Sequence, residues 1–324
     1  MGVGVSMAVR SCPIAVLGSG SIGVSWAIVF ARADHPVQLY DVDASTAERV
    51  TREINTKLAD LATEDLLDCA PHVIAARITA TFELPKAVTG AGLIVECVPE
   101  DLVVKQALFG QLEGLVEATA VVASSSSSIA GSSSFAGCSF RNRCLVAHPA
   151  NPPHILPVVE LVPAPFTTPD SIETARALLT DAGMSPVLVH REVEGFVYNR
   201  LQGAVLREAY CLVRDGVASV ADIDRVMTEG LGRRWSVVGP FETVDLNTRG
   251  GIAEHARRMG PAYARMGRER GQNDPWTPEL VAEVTEARRA ALAIDRWDER
   301  VRWRDRLMLA LERCRRQQPA GGDA

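Results

Sequence analysis

Short apolar runs alternate with longer amphipathic segments over the first part of the chain. The runs are bounded by Gly and Pro and predict buried strands, whereas the segments between them carry apolar residues at helical spacing. The alternation predicts an α/β fold with a doubly wound, mostly parallel sheet of the Rossmann type, covered by helices on both faces. Strands are predicted at 14–17, 37–40, 77–81, 93–97, 120–123, 144–147, 158–162 and 186–190, and helices at 22–31, 44–61, 105–115 and 169–183.

The alternation stops near residue 194, and the rest of the chain shows only helical patterns. We therefore predict a Rossmann-type domain over 1–194, an all-helical C-terminal domain over 195–318 and a disordered tail over 319–324. The helices predicted in the second domain are 196–215, 220–230, 239–258, 278–294 and 297–317.

The composition excludes several classes of protein. The chain has 324 residues, of which 47% are hydrophobic and 23% charged, as in ordinary globular proteins. The net charge of −6 provides no field that attracts a polyanion, and the sequence has neither an apolar run of about 18 residues nor a signal peptide. The seven cysteines form no CxxC pair, and the six histidines lack metal-ligand spacing. We expect a cytoplasmic protein that binds no nucleic acid, membrane or metal.

A glycine-rich motif, GSGSIG, follows the first predicted strand and opens the first predicted helix. In a Rossmann-type fold its glycines allow a tight turn, the approach of a pyrophosphate and close packing of the helix. Asp41 ends the second strand, where a carboxylate binds both ribose hydroxyls and repels a 2′-phosphate. The alternative is a structural turn in which Asp41 caps the next helix. The motif predicts NAD, and the cofactor-binding candidates are Gly18, Gly20, Ser21, Ile22, Gly23 and Asp41.

Polar residues are concentrated in the segment HPANPPHILPVVELV, which begins at His148 and contains Glu160. His148 ends one predicted strand and Glu160 lies in the next, so the carboxylate can orient the imidazole across the bend and make it more basic. A dehydrogenase needs one such base, because hydride leaves a carbinol carbon as the hydroxyl proton is removed. A histidine beside prolines is also common as a structural loop residue, and the pattern alone leaves both interpretations open.

These motifs together resemble the 3-hydroxyacyl-CoA dehydrogenase superfamily, and in particular its lambda-crystallin or L-gulonate 3-dehydrogenase branch. The resemblance covers almost the whole chain, and HPxNPP and GLGxR are its more specific elements. It implies NAD as the cofactor and a homodimer whose helical domain binds substrate and mediates dimerisation. The segments that carry it are GSGSIG, ECVPEDLVVK, ASSSSS, HPANPPHILPVVELV, GFVYNRL and EGLGRRWSVVGPFET.

The resemblance also implies roles for individual residues. His148 would be the general base and Glu160 its carboxylate partner, with Ser127 and Asn199 beside the substrate. Other interpretations of these residue types are a flexible polar loop for the serine run 124–128, a helix cap for Asn199, a turn residue for Asn151 and an exposed pair for Glu100 and Lys105. The implied catalytic residues are His148, Glu160, Ser127 and Asn199, and the further cofactor contacts are Glu100, Lys105 and Asn151.

Arg234 follows the GLG motif and indicates which hydroxy acid is bound. In the lambda-crystallin branch an arginine stands here, and a guanidinium binds a free carboxylate, which a thioester lacks. We therefore expect oxidation of the 3-hydroxyl of a small free acid, as in L-gulonate 3-dehydrogenase, with Arg234 in the substrate site. The alternatives are a carnitine-type acid, a 3-hydroxyacyl-CoA thioester, a non-catalytic crystallin-like NAD-binding protein, and an Arg234 that pairs with an acid at a subunit interface.

Overall fold

The computed structural model describes residues 12–236, 238–247, 251–270, 279, 290 and 293–316. The chain divides into two compact units. The sheet unit comprises Met1–Arg200 with Arg302–Ala324, and the helical unit comprises Leu201–Val301. The tail predicted over 319–324 and most of the helix predicted over 278–294 lie outside the described residues.

The sheet unit contains an eight-stranded sheet in the order β3-β2-β1-β4-β5-β6-β7-β8. Neighbouring strands are parallel except for the antiparallel pair β6 and β7. The crossover between β3 and β4 places β1 at the centre, as in doubly wound folds. The strands are β1 Ile14–Leu17, β2 Val37–Tyr40, β3 Ile78–Thr81, β4 Leu93–Glu96, β5 Val121–Ser124, β6 Cys144–Pro149, β7 Val158–Pro163 and β8 Ser185–Leu188.

Strand β1 shows why the apolar runs form central strands. All four of its residues are fully buried, with Ile14 and Val16 in the core cluster on one face and Ala15 and Leu17 in the cluster on the other. A strand covered by helices on both faces needs apolar residues at every position rather than at alternate ones. The predicted fold class is confirmed.

The helices follow the predicted order with some shifted ends. The helix predicted over 105–115 begins earlier, at Leu102, because the Asp101 side chain accepts hydrogen bonds from the amides of Val103 and Val104. They are α1 Ser21–Arg32, α2 Ala47–Thr63, α3 Pro71–Ala75, α4 Leu84–Val88, α5 Leu102–Gln111, α6 Gly131–Ser134, α7 Pro169–Asp181, α8 Tyr198–Arg214, α9 Val220–Val226, α10 Gly232–Trp235, α11 Pro240–Asn247, α12 Gly251–Arg270 and α13 Trp297–Arg316.

The helix predicted over 239–258 is described in two parts, α11 ending at Asn247 and α12 beginning at Gly251, and residues 248–250 between them lie outside the described residues. In the part of the chain that is described, no helix has the length and apolarity required to cross a membrane.

Candidate active site

The antiparallel pairing of β6 and β7 places His148 directly opposite Glu160. The imidazole Nδ1 lies 2.7 Å from Glu160 Oε2, and both side chains are buried. Directly opposite positions on neighbouring strands hold side chains within contact distance, so the register itself makes this pair. The Glu160 carboxylate therefore contacts the His148 imidazole across the bend, as the sequence pattern allowed.

Glu160 is also bound at its second oxygen. Oε1 accepts hydrogen bonds from the amides of Val197 and Tyr198, at 2.8 and 2.9 Å, where α8 begins. Burial alone would raise the pKa of Glu160, but hydrogen bonds from His148 and from these two amides lower it below its ordinary value. An ionised Glu160 accepts a hydrogen bond from the protonated Nδ1 of His148. In that tautomer Nε2 carries the lone pair and is the ring atom that can accept a proton.

The loop after β5, residues 125–129, is named the serine loop here. Glu100 Oε1 accepts hydrogen bonds from the amides of Ser127 and Ser128, both at 2.9 Å, and from the hydroxyl of Ser126 at 2.6 Å. Partial burial opposes ionisation, yet these hydrogen bonds and the Lys105 ammonium lower the pKa of Glu100 to about 2. The Glu100 carboxylate thus binds most residues of the serine loop. A flexible polar loop, the other interpretation of the serine run, would have no such contacts.

Asn199 connects the first turn of α8 to the serine loop. Its side-chain Nδ2 donates to the Ser127 carbonyl oxygen at 3.0 Å. The residues before α8 reach this position through a left-handed backbone, with φ of 74° at Gly195 and 48° at Phe196. Phe196 is buried, and its ring centroid lies 5.6 Å from that of His148. Asn199, Ser127 and the His148 ring are thereby held in one region of the sheet unit.

The glycine motif has the geometry that a dinucleotide requires. Gly18 has φ +109°, and a Cβ there would lie 2.7 Å from the Cys97 carbonyl oxygen. A Cβ at Gly23 would lie 1.8 Å from the Gly18 carbonyl oxygen, so this glycine permits close packing. A Cβ at Gly20 would meet no protein atom within 4 Å. Protein packing therefore does not explain Gly20, whereas a pyrophosphate approaching the N-terminus of α1 does.

Asp41 follows β2, at the position expected for a ribose-binding carboxylate. Its Oδ2 accepts hydrogen bonds from the backbone amide of Ser19, at 3.0 Å, and from the Ser19 hydroxyl. Partial burial opposes ionisation, but the hydrogen bonds from Ser19 and from the Asp43 amide lower the pKa of Asp41. The ionised carboxylate beside the glycine turn suits ribose hydroxyls and opposes a 2′-phosphate.

A cleft of about 290 Å³ lies at the carboxyl ends of the strands, and its lining includes His148, Ser127 and Glu100. Ligands of open α/β sheets bind at this edge. Arg234 lies in α10 of the helical unit, and among the described residues its guanidinium has no hydrogen bond or ion pair. The cleft is lined by Ile22, Cys97, Val98, Glu100, Lys105, Ser125, Ser127, His148, Pro149 and Asn151.

Beside the cleft the structure also contains a buried residue that the sequence did not predict, Glu96. Glu96 is fully buried, and both its oxygens contact the Lys105 ammonium, at 2.8 and 3.0 Å. Lys105 is itself only 1% exposed. The alternative interpretation of Glu100 and Lys105 as an exposed pair at a helix start therefore does not describe Lys105. The only signal in the sequence was the position of Glu96, a charged residue near the end of the apolar run 93–97. No group of three His, Cys, Asp or Glu able to hold a metal occurs in the described parts of the chain.

Comparison with known proteins identifies the family. The model of the 3-hydroxyacyl-CoA dehydrogenase NAD binding domain matches residues 13–193, and that of the C-terminal domain matches residues 195–291. Lambda-crystallin of Oryctolagus cuniculus is 35% identical over 310 residues, which are 94% of this chain and 96% of that protein. L-carnitine dehydrogenase of Streptomyces griseus subsp. griseus is 35% identical over 272 residues, 82% of this chain and 78% of that protein.

A solved structure agrees over nearly the full length. The crystal structure of 5-formyl-3-hydroxy-2-methylpyridine 4-carboxylic acid 5-dehydrogenase, an NAD+ dependent dismutase, has a TM-score of 0.81 at 28% identity. The match covers 95% of this chain and 100% of that one. The fold and these matches define the class, an NAD-dependent dehydrogenase that acts on CH–OH groups. Within that class the chain belongs to the 3-hydroxyacyl-CoA dehydrogenase family, which confirms the predicted family and cofactor.

Proposed function

We propose that this protein oxidises the 3-hydroxyl of a small free hydroxy acid, of the kind represented by L-gulonate, to the 3-keto acid. The observation that carries the proposal is the 2.7 Å contact between His148 Nδ1 and Glu160 Oε2 in a cleft that also contains the Ser127 side chain. NAD supplies the hydride acceptor in this chemistry.

His148 acts as the general base. Its Nδ1 proton is held by the ionised Glu160, so Nε2 accepts the proton of the substrate hydroxyl. The resulting imidazolium is stabilised by the same carboxylate, which keeps both of its backbone hydrogen bonds to Val197 and Tyr198. Ser127 and Asn199 orient the substrate oxygen beside this base. Among the described residues, Nε2 has no protein partner, as an acceptor for substrate requires.

A free acid is supported by Arg234 and by the relatives. The Arg234 guanidinium lacks an acidic partner in the described part of the chain, although a guanidinium favours a bidentate carboxylate. The names of two relatives specify carnitine and a pyridine 4-carboxylic acid, both of which carry a free carboxylate. Arg233 beside it pairs with Glu229 at 3.3 Å and is not available in the same way.

Two other functions each have one observation in their favour. The family models describe 3-hydroxyacyl-CoA dehydrogenases, which favours a thioester substrate. The likeness to lambda-crystallin favours a non-catalytic NAD-binding protein. The oriented His148 opposes the second, since a binding protein has no need of a buried histidine held by an ionised carboxylate.

The first experiment measures NADH formation by absorbance with L-gulonate, L-3-hydroxybutyrate, carnitine and 3-hydroxybutyryl-CoA, with NAD and then NADP. We expect turnover of free acids with NAD, and Arg234→Met should lower their kcat/KM by about 10- to 100-fold. Arg233→Met is the matched control and should retain the parent value. Turnover of the thioester alone would overturn the proposal, and NADH binding with no turnover would favour the crystallin-like function.

We also propose that the protein acts as a homodimer assembled through the helical unit. Helix α8 carries apolar side chains that the single chain leaves uncovered, with Leu201 61% exposed and Leu206 38% exposed. Burial of such a face against a second copy would remove apolar area from water. The alternative is that this helix packs only within its own chain. In the single chain, however, both leucines remain exposed.

A further inference from the structure

We propose that Glu96 is a positioning residue that acts through Lys105 and Glu100 to hold the serine loop in its active arrangement. The inference rests on the proposed function, because the serine loop carries Ser127 beside the reacting hydroxyl. Glu96 does not line the cleft, and its effect on the reaction would pass through two other charged side chains.

Both oxygens of the buried Glu96 carboxylate accept hydrogen bonds. Oε1 accepts from Lys105 Nζ at 2.8 Å and from the Val98 amide at 2.7 Å. Oε2 accepts from the Ser124 hydroxyl at 2.6 Å and from Lys105 Nζ at 3.0 Å. Burial raises the pKa of Glu96, yet the Lys105 ammonium and the Val98 amide beside the carboxylate can only donate to it. The ionised form is the one that fits.

Lys105 extends this interaction toward the cleft. Its ammonium also lies 3.3 Å from Glu100 Oε2 and 3.4 Å from the Val98 carbonyl oxygen. Burial of an ammonium is costly unless carboxylates lie around it. Glu96 and Glu100 therefore share one cation, and Glu96 fixes where that cation stands.

The opposite oxygen of Glu100 binds the serine loop, so the position of Lys105 determines the position of the loop. Glu100 Oε1 holds the amides of Ser127 and Ser128. A second connection bypasses Glu100, since the Ser124 hydroxyl donates to Glu96 and accepts from the Ser126 amide at 3.2 Å. Both routes begin at Glu96 and end on the loop. Displacement of a positioned group by about 1 Å can lower a rate by about 10²-fold.

The test compares Glu96→Gln with the parent. An amide nitrogen in place of one oxygen faces a donor, so the contact with Lys105 or Ser124 is lost. We expect kcat/KM for the hydroxy acid to fall by at least about tenfold. Asp34→Asn is the control, because it removes an ion pair with Arg77 at the opposite edge of the sheet.

A second measurement is hydrogen exchange of the backbone amides. We expect the amides of Ser127, Ser128 and Ile129 to exchange at least about tenfold faster in Glu96→Gln, with the β5 amides unchanged. Unchanged exchange at these three amides, or an equal rise throughout β5, would overturn the inference. This measurement needs no turnover, so a parent that oxidises none of the acids would refute the proposed function and still leave the inference tested.

A charge-balanced pair of substitutions separates position from stability. Lys105→Met alone leaves Glu96 buried without a counter-charge and should lower the urea midpoint of unfolding. Glu96→Gln with Lys105→Met removes both charges and should recover that midpoint, while the amides of Ser127 and Ser128 still exchange at least about tenfold faster than in the parent. A double variant with the parent exchange rates at these amides would show a purely structural ion pair.

Discussion

The sheet unit and the helical unit bury their side chains to very different extents. In the sheet unit, whole strands such as β1 and β4 are buried at every residue. In the described part of the helical unit, only Cys211 and Thr243 are buried. Large apolar side chains there remain exposed, including Phe241 at 78% and Leu201 at 61%.

The contrast indicates a division of labour. A sheet covered on both faces forms its own core and can hold charged groups such as Glu96 and Glu160 in fixed positions. The described helices of the second unit bury few residues, so packing among them contributes little stabilisation. We infer that the sheet unit fixes the chemistry, whereas the helical unit depends on a second copy. The two units should therefore respond to different substitutions.

The largest effect is expected from His148→Gln in the sheet unit. Turnover should fall by at least about 10²-fold, because the general base is lost. Affinity for NADH, measured by fluorescence titration, and sedimentation of the protein should stay as in the parent. His190→Gln changes an exposed histidine of the same unit and serves as the control. If His148→Gln turned over substrate as fast as the parent, His148 would not be the general base and the chemistry would not depend on this residue of the sheet unit.

Substitution in the helical unit should instead affect assembly. Leu201→Asp would place a charge in the proposed dimer interface and weaken association by at least about tenfold, measured by sedimentation equilibrium. Leu311→Asp in α13 is matched in exposure, at 60%, and lies in the sheet unit. It should leave association unchanged. Equal dissociation of both variants, or of neither, would contradict assembly through α8.

The sequence predicts the sheet unit well because its signals are local. The apolar runs, the turn at Gly18 and the spacing of His148 and Glu160 are each contained within short segments. By contrast, the binding of the serine loop by Glu100 depends on residues that follow β4 and β5, two strands that pair in the sheet. The Glu96–Lys105 pair depends on burial, which the helix pattern of α5 does not indicate. Contacts across strands need the sheet order before they can be predicted.

Asp41→Ala tests the nucleotide selectivity of the sheet unit with a smaller effect. The preference for NAD over NADP in kcat/KM should fall by about tenfold, because the carboxylate no longer repels a 2′-phosphate. Asp43→Ala is the neighbouring control, since the exposed Asp43 side chain accepts from the Ser45 amide and Asp41 contacts only its backbone amide. A variant as selective as the parent would assign discrimination to another residue.

The smallest of the expected effects is a difference between the two units in how the free energy of unfolding depends on pH. The pKa of Glu100 is about 2 in the folded protein, below an unfolded value near 4.3, so its ionisation stabilises the fold above pH 5 and progressively less down to pH 2. Since its side chain is 34% exposed, the contribution should be about 1 to 2 kcal/mol.

Urea unfolding of the parent and of Glu100→Gln should therefore differ by that amount at pH 7 and by about half of it at pH 3. In the helical unit, hydrogen bonds from Arg214 and Arg270 also lower the pKa of Asp215. The partners of that carboxylate are arginine side chains of ion pairs rather than backbone amides, so Asp215→Asn should change stability little, and less still at high salt. A pH-independent difference for Glu100→Gln would mean that the serine loop is held without its charge.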